Sequence, residues 1–251
     1  MKEYIDTIPV SEAFESGDEC PFCFMERAAE QSAIRYVAGP GASYMEPNVR
    51  AATDKDGFCV RHMKNLYDYG NTLGSALMLQ TYMAGLLQEF QAEAENFEMP
   101  PKKGLFSAKK QASGKDACWK RLQQRVDSCF LCNKIEYNMR RFYHTFFVLL
   151  KEPEFRQKVE QSKGFCLRHF ARLLETAEEE LPNGQREWFY GTVFPLMENN
   201  LLRVKEDLDW LVAKYDYRNA GKPWGTAQDA LQRAMQKLEG LHPADPPYQD
   251  K

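Results

Sequence analysis

The stretch Gly164-Phe165-Cys166-Leu167-Arg168-His169 decides how this chain is interpreted, because it repeats Gly57-Phe58-Cys59-Val60-Arg61-His62 almost residue for residue. A Cys-x-x-Cys turn precedes each stretch, namely Cys20-Pro21-Phe22-Cys23 and Cys129-Phe130-Leu131-Cys132. The two turns lie 109 positions apart and the two Cys-x-Arg-His elements lie 107 apart, so the copies differ by only two residues in length. The sequence therefore predicts a duplicated structural unit.

Each copy supplies three cysteines and one histidine, which are enough ligands to close the tetrahedral shell of a zinc ion. The i,i+3 spacing in Cys-x-Arg-His places the cysteine and the histidine on one face of a helical first turn. A helix N-terminus also favours the thiolate form of cysteine. We expect two zinc ions per chain, the first bound by Cys20, Cys23, Cys59 and His62 and the second by Cys129, Cys132, Cys166 and His169.

Other uses of these residues stay open at this stage. An iron–sulfur cluster can also be held by cysteines with one histidine, so it is a minor alternative to zinc. A Cys-x-x-Cys turn invites dithiol redox chemistry, but no βαβ pattern surrounds either turn. Arg61 and Arg168, between the cysteine and the histidine of each copy, would either offset the negative charge of a three-thiolate site or remain exposed without a role there.

Composition favours a folded protein of the reducing cytoplasm. The 251 residues are 43% hydrophobic, which is enough to form a core. No secretory signal opens the chain at Met1–Asp6, and the most apolar run, Phe142–Leu150, is too short to span a bilayer. Six of seven cysteines fall in the repeat, and cytosolic cysteines in paired spacings more often bind metal than form disulfides. We expect a soluble, cytoplasmic protein without membrane association.

Apolar residues recur at steps of three and four after each Cys-x-Arg-His element, which predicts long amphipathic helices. The first seam predicts one helix with a buried stripe, formed by Leu66, Tyr69, Leu73, Ala76, Gln80, Met83, Leu87, Phe90, Ala94 and Phe97. The second follows the turn Pro182-Asn183-Gly184 and comprises Tyr190, Phe194, Met197, Leu201, Val204, Leu208, Leu211 and Tyr215. Because core packing is the ordinary fate of such faces, we expect them to be buried in a bundle rather than to bind a partner.

No alternating strand pattern is evident, so the predicted fold class is all-α. It is a duplicated helical unit whose long amphipathic helices pack as a bundle, with each copy stapled by a Cys3His site. The predicted organisation is a first repeat over 1–99, a basic flexible linker over 100–117, a second repeat over 118–220, and a C-terminal helix with a tail over 221–251.

Positive charge is concentrated in the middle of the chain. Residues 102–168 contain 16 Lys or Arg against 6 Asp or Glu, although the whole chain carries a net charge of −3. Such a stretch either packs against the chain's own acidic residues, stays solvated, or binds a polyanion. If nucleic acid is the partner, the candidate phosphate contacts are Lys102, Lys103, Lys109 and Lys110.

Neither a catalytic triad nor a phosphate-cradling glycine loop is present, so we predict a protein that is not an enzyme. The leading hypothesis is a zinc-stabilised helical binding or adaptor protein with an unknown protein partner. One alternative is a thiolate-based redox or metal sensor that releases zinc on oxidation. Another is a nucleic-acid-binding protein that uses the basic middle segment.

The paired Cys-x-x-Cys and Gly-Phe-Cys-x-Arg-His elements, with Lys222-Pro223-Trp224-Gly225 before a final helix, resemble a bacterial domain-of-unknown-function family, number 6062. The resemblance covers nearly the whole chain, and all eight ligand positions match it. It implies a prokaryotic soluble protein with duplicated metal-like motifs, and it supplies no activity.

Overall fold

A computed structural model of the chain describes residues 6–97, 118–240 and 242, and these residues form α-helices and short 3-10 turns without any strand. The all-α prediction is confirmed. The helices are α1 (Thr7–Glu15), α2 (Pro21–Ala38), α3 (Pro47–Asp56), α4 (Val60–Tyr69), α5 (Thr72–Glu95), α6 (Cys118–Asp127), α7 (Phe130–Leu149), α8 (Pro153–Gln161), α9 (Leu167–Glu180), α10 (Asn183–Ala213) and α11 (Ala230–Glu239). None of these helices combines the length and the apolar character that a membrane span needs.

The same order of helices follows each Cys-x-x-Cys turn. A helix begins at the turn, a shorter helix opens with proline at its first position, a third begins after Gly-Phe-Cys, and a long helix comes last. Proline suits the first position because its fixed φ is already helical and its missing N–H would have no partner there. This order accounts for α2 to α5 and again for α7 to α10.

The described residues divide into two compact units. The first unit comprises residues 6–30 with 135–240 and 242, and the second comprises residues 31–97 with 118–134. This division differs from the expected boundaries at 1–99, 118–220 and 221–251, because it falls inside α2 and α7. Each unit therefore combines segments from both halves of the sequence. The expected linker at 100–117 and most of the expected tail lie outside the described residues.

The prediction of one uninterrupted helix from Leu66 to Phe97 is wrong. Gly70 adopts the left-handed conformation, with φ 88°, and ends α4 there. Asn71 then caps α5, since its side-chain oxygen accepts a hydrogen bond from the Gly74 N–H at 2.9 Å. Glycine followed by asparagine is a helix stop and a new start, because glycine tolerates a positive φ and asparagine satisfies a free N–H of the next helix.

The core of the first unit is rich in aromatic side chains. Phe22 stacks on Tyr143 with ring centroids 4.3 Å apart, and Phe146 lies edge-on to Phe155 at 5.7 Å. Phe165, from the Gly-Phe-Cys stretch, is fully buried and lies 5.8 Å from Phe22. Large buried rings contribute strongly to stability. The phenylalanines next to the predicted ligands thus anchor the start of α2 and the start of α9 in one core.

In the second unit, α3 packs on α5. Arg50 donates to the carbonyl oxygen of Leu77 at 2.8 Å and to the Thr81 hydroxyl at 2.9 Å, and that hydroxyl donates to Asp54 at 2.7 Å. Met78 is the fully buried apolar residue of α5. Met78 is not a member of the predicted stripe, and no stripe residue within α5 is buried. The stripe's exposed apolar members are Leu73, Met83, Leu87 and Phe90, with Phe97 just beyond the helix, and they are 54–67% exposed.

Candidate metal centres

The eight predicted ligands form two clusters, but each cluster combines ligands from both copies. Centre A consists of Cys20, Cys23, Cys166 and His169, and centre B consists of Cys59, His62, Cys129 and Cys132. The expected grouping of Cys20 and Cys23 with Cys59 and His62, and of Cys129 and Cys132 with Cys166 and His169, is therefore corrected. The ligand residues are the predicted ones, and their partners are exchanged.

Every ligand pair lies at the start of a helix. Cys20 and Cys129 directly precede α2 and α7, and Cys23 and Cys132 lie in the first turns of these helices. Cys59 and Cys166 occupy the cap positions of α4 and α9, so that His62 and His169 point from the first turns. Each centre is thus built from the N-terminal turns of two helices. Free backbone N–H groups and the positive end of each helix dipole favour the negative charge that thiolates bring.

The distances between ligand atoms fit one tetrahedral ion. In centre A the Sγ atoms of Cys23 and Cys166 are 3.7 Å apart, and Nδ1 of His169 lies 3.3–3.5 Å from all three sulfurs. Metal bonds of about 2.3 Å to sulfur and about 2.0 Å to nitrogen, in tetrahedral geometry, would separate two sulfurs by about 3.8 Å and sulfur from nitrogen by about 3.5 Å. The donor atoms of centre A therefore have the separations that such an ion requires.

Centre B has the same geometry. Its Cys59 and Cys132 Sγ atoms are 3.8 Å apart. Nδ1 of His62 lies 3.3 Å from the sulfurs of Cys59, Cys129 and Cys132. In both centres the histidine presents Nδ1 to the sulfurs, which leaves Nε2 to be oriented by neighbouring groups. Both groups of residues could hold a metal ion with four protein ligands.

The close thiols perturb one another's ionisation. Hydrogen bonding with Cys132 lowers the pKa of Cys129 to about 3, and the hydrogen bond with His62 acts in the same direction. The hydrogen bond to Cys129 raises the pKa of Cys132. In centre A, hydrogen bonding with Cys20 lowers the pKa of Cys166, while burial raises the pKa of Cys20. The thiols of each centre therefore do not ionise independently of one another, and a bound cation would favour their thiolate forms.

Contacts just before the helices explain why the partners are exchanged in centre B. The Phe130 N–H donates to the carbonyl oxygen of Gly57 at 2.9 Å, and the Ser128 hydroxyl donates to that of Asp56 at 2.6 Å. The Asn133 amide donates to the Asp56 carboxylate at 3.0 Å. The turn before α4 is thus bonded to the start of α7, which brings the second-copy cysteines to the first-copy Cys-x-Arg-His element.

In centre A, the C-terminal helix α11 performs the corresponding task. Lys237 is almost fully buried, and its Nζ donates to the carbonyl oxygens of Glu19 and Lys163. These carbonyls lie in the segments that lead to Cys20 and Cys166. Nζ also lies 3.2 Å from the Glu19 carboxylate, which accompanies the buried positive charge. Burial lowers the pKa of Lys237. One lysine therefore holds the two ligand-bearing segments of centre A together.

The arginines between cysteine and histidine differ in their surroundings. Arg168 forms a two-pronged ion pair with Glu26, and the Glu26 carboxylate lies 3.5 Å from Nε2 of His169. A carboxylate behind a metal-binding histidine orients the ring and raises its basicity. In centre B, the Arg61 guanidinium lies 3.5 Å from Nε2 of His62. The sequence position that corresponds to Glu26 in the second copy is Ile135.

Sequence reasoning missed Glu26 and Lys237. Glu26 follows Cys23 by one helical turn, and that spacing was the available signal, since residues three apart share a helix face. No local pattern identifies Lys237, because its partners are 74 and 218 positions away.

The basic stretch is extensively paired within the described residues. Its ion pairs join Arg121 to Glu93, Arg125 to Glu89, Arg140 to Glu136, Arg141 to Asp6, Lys158 to Glu15, Lys163 to Glu19 and Arg168 to Glu26. Much of this positive charge is therefore balanced by the chain's own carboxylates. The four candidate phosphate contacts, Lys102, Lys103, Lys109 and Lys110, lie outside the described residues.

Comparison with known proteins gives one match. The model of a family of unknown function, DUF6062, matches residues 1–245. No curated protein and no solved structure matches the chain significantly.

Proposed function

Because the chain belongs to the DUF6062 family, whose description names no activity, we propose from its own geometry that it is a zinc-stabilised helical adaptor protein. In this proposal two zinc ions have a structural role, and the protein is not an enzyme. The single observation that carries the binding role is the exposed apolar face of α5, formed by Leu73, Met83, Leu87 and Phe90.

Zinc is favoured by the composition and spacing of both centres. Three thiolates and one imidazole form a ligand set typical of structural zinc, and the S···S separations of 3.7 and 3.8 Å match a single tetrahedral ion. An iron–sulfur cluster would place several metal atoms between its cysteines and hold their sulfurs farther apart. Four protein ligands fill the shell and leave no open position for a substrate, which supports a structural role.

The partner that fits α5 is an amphipathic helix of another protein. Met83, Leu87 and Phe90 follow steps of four and three, and Leu73 lies on the same helix face ten positions before Met83. This is the spacing that a second helix complements in a coiled-coil seam. The helix α5 contains three glutamates and no basic residue, and two of the glutamates, Glu89 and Glu93, pair with Arg125 and Arg121 of α6. The apolar seam, rather than charge, would therefore carry the recognition of the partner. A groove lined by Met63, Leu66, Tyr67 and Leu79 lies at the start of this face and extends it onto α4.

Metal analysis of the full chain, purified without added metal or chelator, tests the zinc assignment. We expect about two zinc ions per chain, because each centre has one complete set of four ligands. A folded protein that contains neither zinc nor any other metal would overturn the assignment. Iron in place of zinc, together with absorbance in the visible range, would instead support an iron–sulfur cluster.

Site-specific photo-crosslinking in the cells that naturally express the protein tests the partner. A photoreactive amino acid at Leu87 should give an adduct whose crosslinked peptide is an amphipathic helical segment, and Met83→Glu should abolish it. The control position is Val212, which is exposed on α10. An adduct between two copies of this chain would show that the α5 face mediates self-association and does not bind a different protein. Equal crosslinking at Leu87 and Val212 would overturn the role of α5.

A further inference from the structure

The two centres differ in how well their sulfurs are covered. In centre A all three cysteines and the histidine are buried. In centre B, Cys129 and His62 are buried, whereas Cys59 and Cys132 are partly exposed. Oxidants attack sulfur that they can reach, so exposure determines which thiolates of otherwise similar sites react.

The groups around the ligands also cover centre A more fully than centre B. In centre A, His169 has the Glu26 carboxylate behind Nε2, and the ring of Phe22 packs 5.9 Å from the imidazole. The end of α11 also covers this centre, because a Cβ atom added at Gly240 would lie 3.5 Å from the Cys166 sulfur. Such contacts restrict ligand motion and limit access to the sulfurs. Centre A is therefore built to retain its ion.

We propose that centre B is an oxidant-responsive metal site in which peroxide converts Cys59 and Cys132 to a disulfide and releases the ion. The proposal rests on the proposed zinc function. The two sulfurs are 3.8 Å apart, and they are the partly exposed ones. They belong to different segments, the cap of α4 and the first turn of α7. The oxidant is a hydroperoxide, of which hydrogen peroxide is the simplest.

The chemistry balances with two sulfurs and one peroxide. One thiolate attacks a peroxide oxygen, the O–O bond breaks, and the sulfur becomes a sulfenic acid while hydroxide leaves. The second thiolate attacks that sulfur, the S–S bond forms, and a second hydroxide leaves. Each sulfur loses one electron, and the peroxide gains two. The ion is released because Cys129 and His62 alone cannot hold it as four ligands do.

This disulfide would connect the same two segments that the ion connects. Since Cys59 and Cys132 are 73 positions apart, the new bond would keep the second unit cross-linked after the metal has left. Oxidation would then release metal without unfolding the unit, and a dithiol would restore the site. This outcome differs from that of a purely structural centre, where loss of the ion removes folding free energy.

Stepwise oxidation of the full-length, metal-loaded chain tests the proposal. Cys118→Ser serves as the background, because it removes the cysteine that belongs to neither centre. Hydrogen peroxide is added, released zinc is measured with a chromogenic chelator, and disulfides are mapped by mass spectrometry. We expect one ion to be released at least roughly tenfold faster than the other, because exposed thiolates react first. A Cys59–Cys132 disulfide should form in step with it, and dithiothreitol should reverse both changes.

Matched variants assign the fast phase. Cys23→Ser with Cys166→Ser removes centre A and should leave the fast release unchanged. Cys59→Ser with Cys132→Ser removes centre B and should leave only slow release. If either variant fails to fold, disulfide mapping in the background protein remains decisive.

Three results would overturn the proposal. The two ions could leave at the same rate, the first disulfide could join Cys129 to Cys132, or it could form in centre A. Each of these would leave the structural zinc assignment intact. A folded chain that binds no metal before oxidation would refute both proposals, so the two failures are distinguishable.

Discussion

At the scale of single residues, His169 has a charged neighbour, Glu26, that the ligand motif does not contain. The Glu26 carboxylate accepts hydrogen bonds from both terminal nitrogens of Arg168, and it lies 3.5 Å from Nε2 of His169. A carboxylate in this position holds the imidazole with Nδ1 directed at the sulfurs. Glu26 would therefore connect a buried position on α2 to the metal affinity of centre A.

Replacing Glu26 tests this connection. Glu26→Gln should lower the metal affinity of centre A by about tenfold, because the neutral amide no longer raises the basicity of His169. Competition with a chromogenic chelator measures the effect. Glu136→Gln is the control, since Glu136 likewise pairs with arginine, here Arg140 and Arg172, but at an exposed position. Equal loss of affinity in both variants would contradict the role of Glu26.

Lys237 acts on the same centre through the backbone. Lys237→Met should lower the free energy of unfolding by about 3 kcal/mol, because it leaves the buried Glu19 carboxylate and two carbonyl oxygens with one donor fewer. Denaturant unfolding of the metal-loaded chain provides the measurement, and chelator competition should also show weaker metal binding. Lys214→Met is the control. Lys214 donates to three carbonyl oxygens away from the centres, so its loss should not change the metal affinity. Unchanged affinity in Lys237→Met would exclude the proposed link between α11 and centre A.

At the scale of elements, the Gly-Phe-Cys stretch forms a turn that only glycine fits. Gly57 has φ 61° and ψ −155°, a conformation that other residues rarely adopt. A Cβ atom there would lie 2.7 Å from the ring of Tyr82 on α5. The carbonyl of Gly57 also accepts the hydrogen bond from Phe130. This turn thus sets the approach of α4 to α7 and so assembles centre B.

Gly57→Ala should destabilise the second unit by about 3 kcal/mol, since it adds backbone strain and a clash with Tyr82. Thermal unfolding and the zinc content of centre B report the effect. Gly85→Ala is the matched control, because Gly85 lies within α5 and an added Cβ there meets no atom within 4 Å. The control should be neutral or slightly stabilising, as alanine is the better helix former. A tolerated Gly57→Ala would show that the turn can rearrange.

At the scale of the whole molecule, the exchanged grouping makes each centre close a longer loop than the repeat suggests. Cys20 and His169 are 149 positions apart, whereas the predicted partners Cys20 and His62 are 42 apart. Loop-closure entropy grows with the logarithm of loop length, so the longer span raises the stabilising effect of the cross-link by about 1 kcal/mol. Metal binding at centre A would therefore couple the beginning of the chain to its second half.

Metal stoichiometry in double variants distinguishes the two groupings. In Cys23→Ser with Cys166→Ser, both changes fall in centre A, so about one ion per chain should remain at centre B. In Cys23→Ser with Cys59→Ser, each centre loses a ligand, and neither should hold its ion firmly. Native mass spectrometry counts the ions. Pairing within each sequence copy would give the opposite pattern, with one ion retained in the second variant.

The sequence predicts the bounds and burial of some helices better than those of others. It identified α10 from its seam and from the turn Pro182-Asn183-Gly184, and α10 does begin at Asn183. It merged α4 with α5, although Gly70-Asn71 is an equivalent stop signal. The seam on α5 was expected to be buried, and it is exposed instead. Periodicity reveals that one helix face is apolar, but it does not tell what covers that face.

Helical periodicity and i,i+3 spacing are local properties, so the amino-acid sequence is enough to predict the all-helical class, the eight candidate ligands and their placement at helix starts. Which Cys-x-x-Cys turn meets which Cys-x-Arg-His element depends on the three-dimensional packing. The two copies carry the same ligands, so spacing alone cannot distinguish one partner from the other. Distant contacts made that choice, through the hydrogen bond from Phe130 to Gly57 in centre B and through Lys237 in centre A.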